Sequence, residues 1–197
     1  MARVRLAVLI SGRGSNMLAL ADAAQAPDWP AEIVLVVSNV ADAPGLATAA
    51  ARGIPTATVA HRAYPSRAAF EEALDLVLRA HRVEAIALAG FMRVLTPGFV
   101  ARWEGRMVNI HPSLLPKYPG LDTHARALAA GDTEAGATVH LVTADLDSGP
   151  VLAQARVPIL PSDTPDTLAR RVLAAEHQLY PEAIAEWLGS RRQAVVA

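Results

Sequence analysis

Short apolar runs alternate with stretches of helical spacing along the first half of the chain. The run at 4–10 is almost continuously apolar and ends at Ser11-Gly12, which is typical of a strand buried on both faces of a parallel sheet. The same reasoning predicts further strands at 33–37, 56–59, 83–89 and 107–110. Apolar residues three and four positions apart predict helices over 15–25, 44–52 and 66–81. This alternation predicts a doubly wound, mostly parallel α/β sheet.

The pattern changes in the last third of the chain. Weak alternation over 137–142 and a second run at 151–157, separated by a turn with Gly149-Pro150, predict a late antiparallel hairpin added to the sheet. Thr164-Pro165 is typical of a helix start, and Pro181 is expected to kink or restart that last helix. Since ligands of doubly wound sheets bind at the carboxyl ends of the strands, residues at strand ends are the first candidates for chemistry.

Composition narrows the class of protein. The chain has 197 residues, 52% of them hydrophobic and 19% charged, which predicts about one packed globular domain. The net charge of -1 supplies no basic field for nucleic acid or for an anionic membrane. The absence of cysteine excludes thiol catalysis and cysteine-bound metals. The apolar start is too short to span a membrane and lacks a cleavage site, so a cytoplasmic location is expected.

A glycine-containing segment, 11–16, follows the first strand and opens the first helix. Glycine lets the backbone approach an anion closely, and a helix N-terminus offers free N–H groups, to which Ser15 and Asn16 add side-chain donors. The segment is a candidate phosphate cradle. The segment does not have the P-loop pattern. It is also not a complete dinucleotide-binding fingerprint, because Met17 occupies the position of the third glycine. A tight turn with Ser15 as a simple N-cap explains the pattern equally well.

An amide and an imidazole lie two positions apart at the end of the strand near 107–110. Side chains alternate along a strand, so Asn109 and His111 are expected on the same side. Such a pair suits a carbonyl group under attack: the amide donates to the developing oxyanion, and the imidazole supplies a proton or a cationic donor. A histidine bonded to the backbone at a strand end is the plainer alternative.

The turn at 145–150 contains two carboxylates, Asp145 and Asp147. A carboxylate beside an imidazole favours its charged form and fixes its orientation, although turns are rich in aspartate for local reasons alone. The remaining histidines show no metal-ligand spacing, so no metal is expected and most of them are interpreted as solvated or structural. They are His61, His81, His124, His140 and His177.

Several of these motifs together resemble the folate-dependent formyltransferases. The resemblance rests on Ala89-Gly90-Phe91-Met92-Arg93-Val94-Leu95, on Asn109-Ile110-His111-Pro112-Ser113-Leu114-Leu115-Pro116, on the segment 11–16, on Leu146-Asp147-x-Gly149-Pro150, and on Glu176-His177. It extends over essentially the whole chain and is strongest for the enzymes that act on glycinamide ribonucleotide. It implies one Rossmann-like formyltransferase domain over 1–197. In that domain the N-terminal half binds the substrate phosphate, and the C-terminal half carries most of the folate pocket and the catalytic residues.

The resemblance also implies a role for individual residues. Asn109, His111 and Asp147 match the catalytic trio of the family. Gly14, Ser15 and Asn16 match the segment that grips the substrate phosphate, and Glu176 matches a contact to the rest of that substrate. The implied folate-binding residues are Arg67, Met92, Arg93, Val94, Leu95, Asn109, Thr143, Ala144, Asp145, Leu146 and Asp147. Asp122 stands where bacterial relatives often have histidine, which leaves the trio intact.

The implied activity is formyl transfer from 10-formyltetrahydrofolate to the amine of 5'-phosphoribosylglycinamide, a step of de novo purine biosynthesis. The folate is then a co-substrate, no metal takes part, and the partners are small molecules bound by a monomer or homodimer. Methionyl-tRNA formyltransferase and formyltetrahydrofolate hydrolase share the Asn-x-His core, but they need a further domain for which 197 residues leave no room.

Two interpretations from other classes remain. A dinucleotide-binding oxidoreductase would use Gly12-x-Gly14 with Asp42 on the ribose, although Met17 argues against it. A non-enzymatic phosphosugar-binding module would need the same cradle but would place no constraint on Asn109, His111 and Asp147.

Overall fold

The apolar runs become the strands of a seven-stranded sheet. The structure is a computed structural model that describes the backbone of residues 2–196 and the side chains of residues 2–191. The strands are β1 (Val4–Ile10), β2 (Ala31–Ser38), β3 (Thr56–Thr58), β4 (Ala85–Leu88), β5 (Met107–His111), β6 (Glu134–Leu141) and β7 (Val151–Pro158). The helices are α1 (Ser15–Ala23), α2 (Pro44–Ala51), α3 (Arg67–Ala80), α4 (Pro97–Arg102), α5 (Thr123–Ala129) and α6 (Pro165–Val196), with a short 3-10 helix at His61–Ala63.

The strand order is β3-β2-β1-β4-β5-β6-β7. The first five strands pair in parallel, whereas β6 runs antiparallel to both β5 and β7. The predicted doubly wound sheet with a late antiparallel hairpin is therefore confirmed. The order reverses between β1 and β4, which is the position where sheets of this class bind ligands.

Two apolar cores lie on opposite faces of the sheet. Leu6, Val8 and Ile10 of β1 face one core, to which α1 and α6 contribute. Ala7 and Leu9, the intervening residues of the same strand, face the other core, built mainly from α3 and α4. This alternation is the two-residue period of a strand covered on both faces, and it explains the nearly continuous apolar sequence of β1.

Three features of the fold differ from the sequence-based prediction. The helices α4 and α5 were not predicted because each has only six or seven residues, too few for a clear helical period. The strand predicted at 83–89 forms only over Ala85–Leu88. Of the two outcomes predicted at Pro181, a kink or a restart of the last helix, the restart does not occur, since α6 runs through Pro181 as one helix. Packing of α6 on the sheet outweighs the backbone hydrogen bond that a proline cannot make.

Among residues 2–196 no helix combines the length and the apolar character that a membrane span requires.

Two leucines on α3 provide a matched test of the second core. Leu74 is fully buried between α3 and the sheet, whereas Leu76 is 68% exposed on the same helix. We expect Leu74→Ala to lower the free energy of unfolding by about 2–5 kcal/mol, because it removes buried surface and leaves a cavity. Leu76→Ala should change it by less than about 0.5 kcal/mol. Urea denaturation of both variants measures this, and equal losses would contradict the packing described.

Candidate active site

Asn109 and His111 project from the same face of β5. Their neighbours Val108 and Ile110 point into the core beneath α1 and α6, so the strand period directs Asn109 and His111 to the opposite face. His111 is 6% exposed and Asn109 is half-buried. The side-by-side placement that their spacing predicts is therefore present in the fold.

The carboxylate of Asp147 lies beside the imidazole of His111. Its Oδ2 is 3.4 Å from His111 Nδ1, and the same oxygen accepts a hydrogen bond of 2.8 Å from the backbone N–H of Gly120. The other ring nitrogen, His111 Nε2, lies 2.9 Å from the carbonyl oxygen of Tyr118. Each ring nitrogen of His111 therefore faces an oxygen atom that can accept a hydrogen bond.

The turn that carries Asp147 folds back over the sheet because of one glycine. β6 ends beside the start of β5, where Val142 N–H donates to the carbonyl of Met107, so the following turn must reverse to reach His111. A Cβ atom on Gly149 would lie 1.8 Å from the carbonyl oxygen of Leu141. Only glycine permits this approach. Asp147 itself has a φ of 51°, a left-handed conformation that aspartate tolerates better than most residues.

His140 is a functional candidate that the sequence analysis did not identify. It lies directly opposite Asn109 in the antiparallel pair of β5 and β6, with 3.2 Å between Asn109 Nδ2 and His140 Nε2. His140 Nε2 is also 3.7 Å from Asp147 Oδ1. His140 therefore differs from the solvated or structural histidines with which the sequence analysis grouped it. Its position depends on the register of β6 on β5, which the sequence alone does not show.

The hydrogen bonds of His140 define its tautomer. Its Nδ1 lies 2.9 Å from the carbonyl oxygen of Leu141, which can only accept, so Nδ1 carries the proton and Nε2 accepts from Asn109. Burial lowers the pKa of His140 below its ordinary value; the Leu141 carbonyl and Asp147 oppose this effect, and His111 adds to it. His140 is therefore a neutral ring next to a carboxylate.

The segment between β5 and α5 covers one side of His111. Tyr118 has a φ of 57°, its carbonyl meets His111, and its hydroxyl donates to Asp132 at 2.8 Å. Lys117 Nζ also donates to Asp132, at 2.9 Å. Asp122, which precedes α5, makes no capping hydrogen bond with its side chain. The covering segment is thus fixed to Asp132.

The candidate phosphate cradle opens α1 without a side-chain cap. Gly14 is the N-cap, with a φ of 73°, and Ser15 is the first helical residue. The interpretation of Ser15 as the N-cap is therefore wrong. Since no side chain caps the helix, its first N–H groups remain available to an anion. A Cβ on Gly14 would lie 3.3 Å from Gly45 at the start of α2, so the two helix starts pack closely there.

The side chain of Asn16 points away from the cradle. Its Nδ2 donates to Glu176 Oε2 on α6 at 2.6 Å, and both residues are buried. Asn16 can therefore serve an anion through its backbone N–H rather than through the side-chain donor expected from the sequence. Burial raises the pKa of Glu176, and the bond from Asn16 partly offsets that rise. The pair joins the cradle to α6.

Two exposed segments border the core beneath α3 and α4. The first is 92–95, in which Met92 and Val94 are 69% and 50% exposed while Leu95 is buried. The second is 143–147, in which Leu146 is 55% exposed. Phe91 and Val142, the residues preceding the two segments, pack against the same core. The two segments that the resemblance assigns to folate therefore both follow residues packed on this core, on the face to which Asn109 and His111 point.

Arg67 is the first residue of α3 and is exposed. One helical turn later, the carboxylate of Glu71 accepts hydrogen bonds from the backbone N–H of Thr96, at 2.7 Å, and from its hydroxyl. This contact places the start of α3 next to the end of the 92–95 segment. Within the described part of the chain, no group of three histidine, aspartate or glutamate side chains is arranged to hold a metal ion.

Comparison with known proteins gives one consistent result. Residues 4–184 match the family model described as formyl transferase. The chain is 46% identical to phosphoribosylglycinamide formyltransferase of Escherichia coli, covering 96% of this chain and 89% of that protein. The crystal structure of phosphoribosylglycinamide formyltransferase from Brucella melitensis matches it with a TM-score of 0.92 and a sequence identity of 54%. This match covers 95% of this chain and 96% of that one.

A third relative is much longer than this chain. The trifunctional purine biosynthetic protein adenosine-3 of Drosophila pseudoobscura pseudoobscura is 52% identical over 93% of the chain. The match spans only 14% of that relative. The similarity therefore concerns one part of a larger protein in this case and nearly the full length in the bacterial ones.

The protonation of His140 can be measured directly. Because burial is the largest influence on this ring, we expect a pKa below 6.5 in an NMR titration of the folded protein, with the proton on Nδ1 at neutral pH. Asp147→Asn should lower this pKa further, since it removes the one carboxylate that favours the charged ring. A pKa above 6.5, or a neutral ring protonated on Nε2, would contradict the hydrogen bonds described.

Proposed function

Because the chain belongs to the formyl transferase family, we propose that it transfers a formyl group from 10-formyltetrahydrofolate to the amine of glycinamide ribonucleotide. The products are phosphoribosyl-N-formylglycinamide and tetrahydrofolate. The bacterial relatives that match over nearly their full length have the name of this activity. The same reaction places the protein in purine biosynthesis, which the names of the longer relatives also state.

The observation that carries the proposal is the meeting of three side chains from distant parts of the sequence. Asn109 and His111 come from β5, and Asp147 comes from the turn after β6, yet Asp147 lies 3.4 Å from His111. An amide, an imidazole and a carboxylate on one face of a sheet form a set suited to acyl transfer. A phosphosugar-binding module would have no need of this arrangement.

The chemistry follows from these groups. The amine nitrogen attacks the formyl carbon, and the carbonyl oxygen becomes an oxyanion that needs donors already in place. Asn109 and His111 supply them; His111 does so by exchanging the Tyr118 carbonyl for the substrate oxygen as the partner of Nε2. The bond between the formyl carbon and the folate nitrogen then breaks. The amine has lost a proton and the folate nitrogen has gained one, and Asp147 keeps His111 oriented for that transfer.

The acceptor substrate fits the α1 side of the site. Its phosphate is dianionic near neutral pH, and the uncapped start of α1 at Gly14 and Ser15 offers N–H groups and a positive helix end. Asn16 contributes its backbone there. Glu176, held by the Asn16 side chain, faces the rest of the substrate, where a carboxylate can accept hydrogen bonds from ribose hydroxyls or from the amine.

The folate fits the α3 side. The family implies a folate co-substrate. The segments 92–95 and 143–147 present exposed apolar side chains and backbone groups to a flat pterin ring. Arg67 supplies a guanidinium group for the anionic tail of the folate, since it lies at the start of α3 where it can extend outwards. The two substrates therefore approach the trio from different sides.

Several finer statements remain predictions. They are the single domain over 1–197 with its division into a phosphate-binding and a catalytic half, the cytoplasmic location, and the monomeric or homodimeric state. The identity of each residue in the substrate sites is also part of the proposal.

The activity is tested by incubating the purified protein with 10-formyltetrahydrofolate and glycinamide ribonucleotide and following the folate absorbance. We expect transfer with the ribonucleotide and at least 100-fold lower kcat/KM with glycinamide riboside, which lacks the phosphate that the cradle binds. Formate with ATP should not replace the folate. Equal rates with the riboside would overturn the assignment of 14–16 as the phosphate site.

A double-mutant cycle tests the trio. We expect His111→Ala and Asp147→Asn each to lower kcat by about 100-fold or more, because the oxyanion loses a donor or its orienting partner. The double variant should be little slower than either single one, since residues that act as a unit are not additive. Asp28→Asn, an exposed carboxylate in the loop before β2, is the matched control and should leave kcat unchanged. Independent, multiplicative losses would show that Asp147 does not act through His111.

A further inference from the structure

Ser11 ends the first strand and forms hydrogen bonds that neither substrate site explains. Its hydroxyl donates to Asn39 Oδ1 at 2.5 Å and accepts from the backbone N–H of Met92 at 2.7 Å. Its own N–H donates to the carbonyl of Gly90 at 3.1 Å. Both the donor and the acceptor capacity of the hydroxyl are therefore used within the protein.

These bonds connect three strand ends at the point where the strand order reverses. Ser11 follows β1, Asn39 follows β2, and Met92 lies beyond the end of β4. Asn39 is 3% exposed, and its side-chain Nδ2 lies 3.1 Å from Nδ1 of His61, so the side chain that accepts from the Ser11 hydroxyl is itself held in place. A fixed acceptor fixes the direction of the Ser11 hydroxyl, and hence the position of the Met92 N–H.

The two chain segments joined by Ser11 belong to different substrate sites. Towards its carboxyl side, Ser11 continues directly into Gly12 and the cradle at Gly14. Through its hydroxyl it holds Met92, the first residue of the 92–95 segment. Met92 is 69% exposed, so few packing contacts of its own side chain restrain it.

We propose that Ser11 is a positioning residue that sets the separation between the bound folate and the bound ribonucleotide. The inference rests on the proposed function. Acyl transfer requires the amine nitrogen and the formyl carbon to meet at about 3–3.5 Å, and a displacement of about 1 Å costs up to about 100-fold in rate. A hydroxyl that joins the wall of one site to the backbone of the other controls that distance without touching either substrate.

Kinetics of three variants test this role. We expect Ser11→Ala to lower kcat at least tenfold while each KM rises less than threefold, because each site stays formed and only their relative placement changes. Ser11→Thr keeps a hydroxyl and should recover kcat to within threefold of the unmodified protein. Ser190→Ala, an exposed serine on α6, is the matched control and should leave kcat unchanged. A Ser11→Ala variant with unchanged kcat, or with an effect confined to KM, would overturn the proposal.

Amide hydrogen exchange measured by NMR supplies a readout without turnover. In Ser11→Ala the amide of Met92 should exchange at least tenfold faster, whereas the amides of β1 should keep their protection. Unchanged exchange at Met92 would overturn the proposal even if Ser11→Thr failed to fold. If the unmodified protein showed no formyl transfer, the proposed function would fail and this exchange result would still decide whether Ser11 holds the segment.

Discussion

The whole site depends on the close approach of Gly149 to the carbonyl of Leu141. Since β6 is antiparallel to β5, its end lies beside the start of β5 and away from His111. The chain returns over the sheet only because nothing larger than a hydrogen atom stands on the Cα of Gly149. That return places Asp147 between His111 and His140.

The two faces of the sheet carry different groups of candidate site residues. The face with α1 and α6 carries the cradle and the buried Asn16–Glu176 pair. The face with α3 and α4 carries the two exposed apolar segments and the side chains of Asn109 and His111. In the proposed function, an anionic substrate and a flat aromatic one therefore bind in different surroundings. The proposed transfer takes place where the two surfaces meet, at the end of β5.

The local sequence pattern was sufficient to predict the features that depend on a single strand or a single helix. The bounds of β1 are those of its apolar run, and the pairing of Asn109 with His111 follows from strand alternation. The role of His140 could not be derived, because it depends on which residue of β6 faces Asn109. The direction of the Asn16 side chain depends on α6, 160 residues away. The contact between Asp147 and His111 was available only from family resemblance, since spacing within the sequence does not encode where a turn folds back.

The carbonyl of Leu141 has an effect beyond its own hydrogen bond. Because this oxygen can only accept, the proton of the neutral His140 ring lies on Nδ1. Nε2 must then accept, so Asn109 directs its NH₂ group towards Nε2. The amide of Asn109 therefore has one orientation, in which its oxygen points away from His140. Aspartate has nearly the same shape as Asn109, but it could keep this contact only if His140 took up a second proton, because the neutral ring presents a lone pair at Nε2. The neutral His140 ring thus favours an amide over its isosteric acid at this position, and a main-chain oxygen sets that preference.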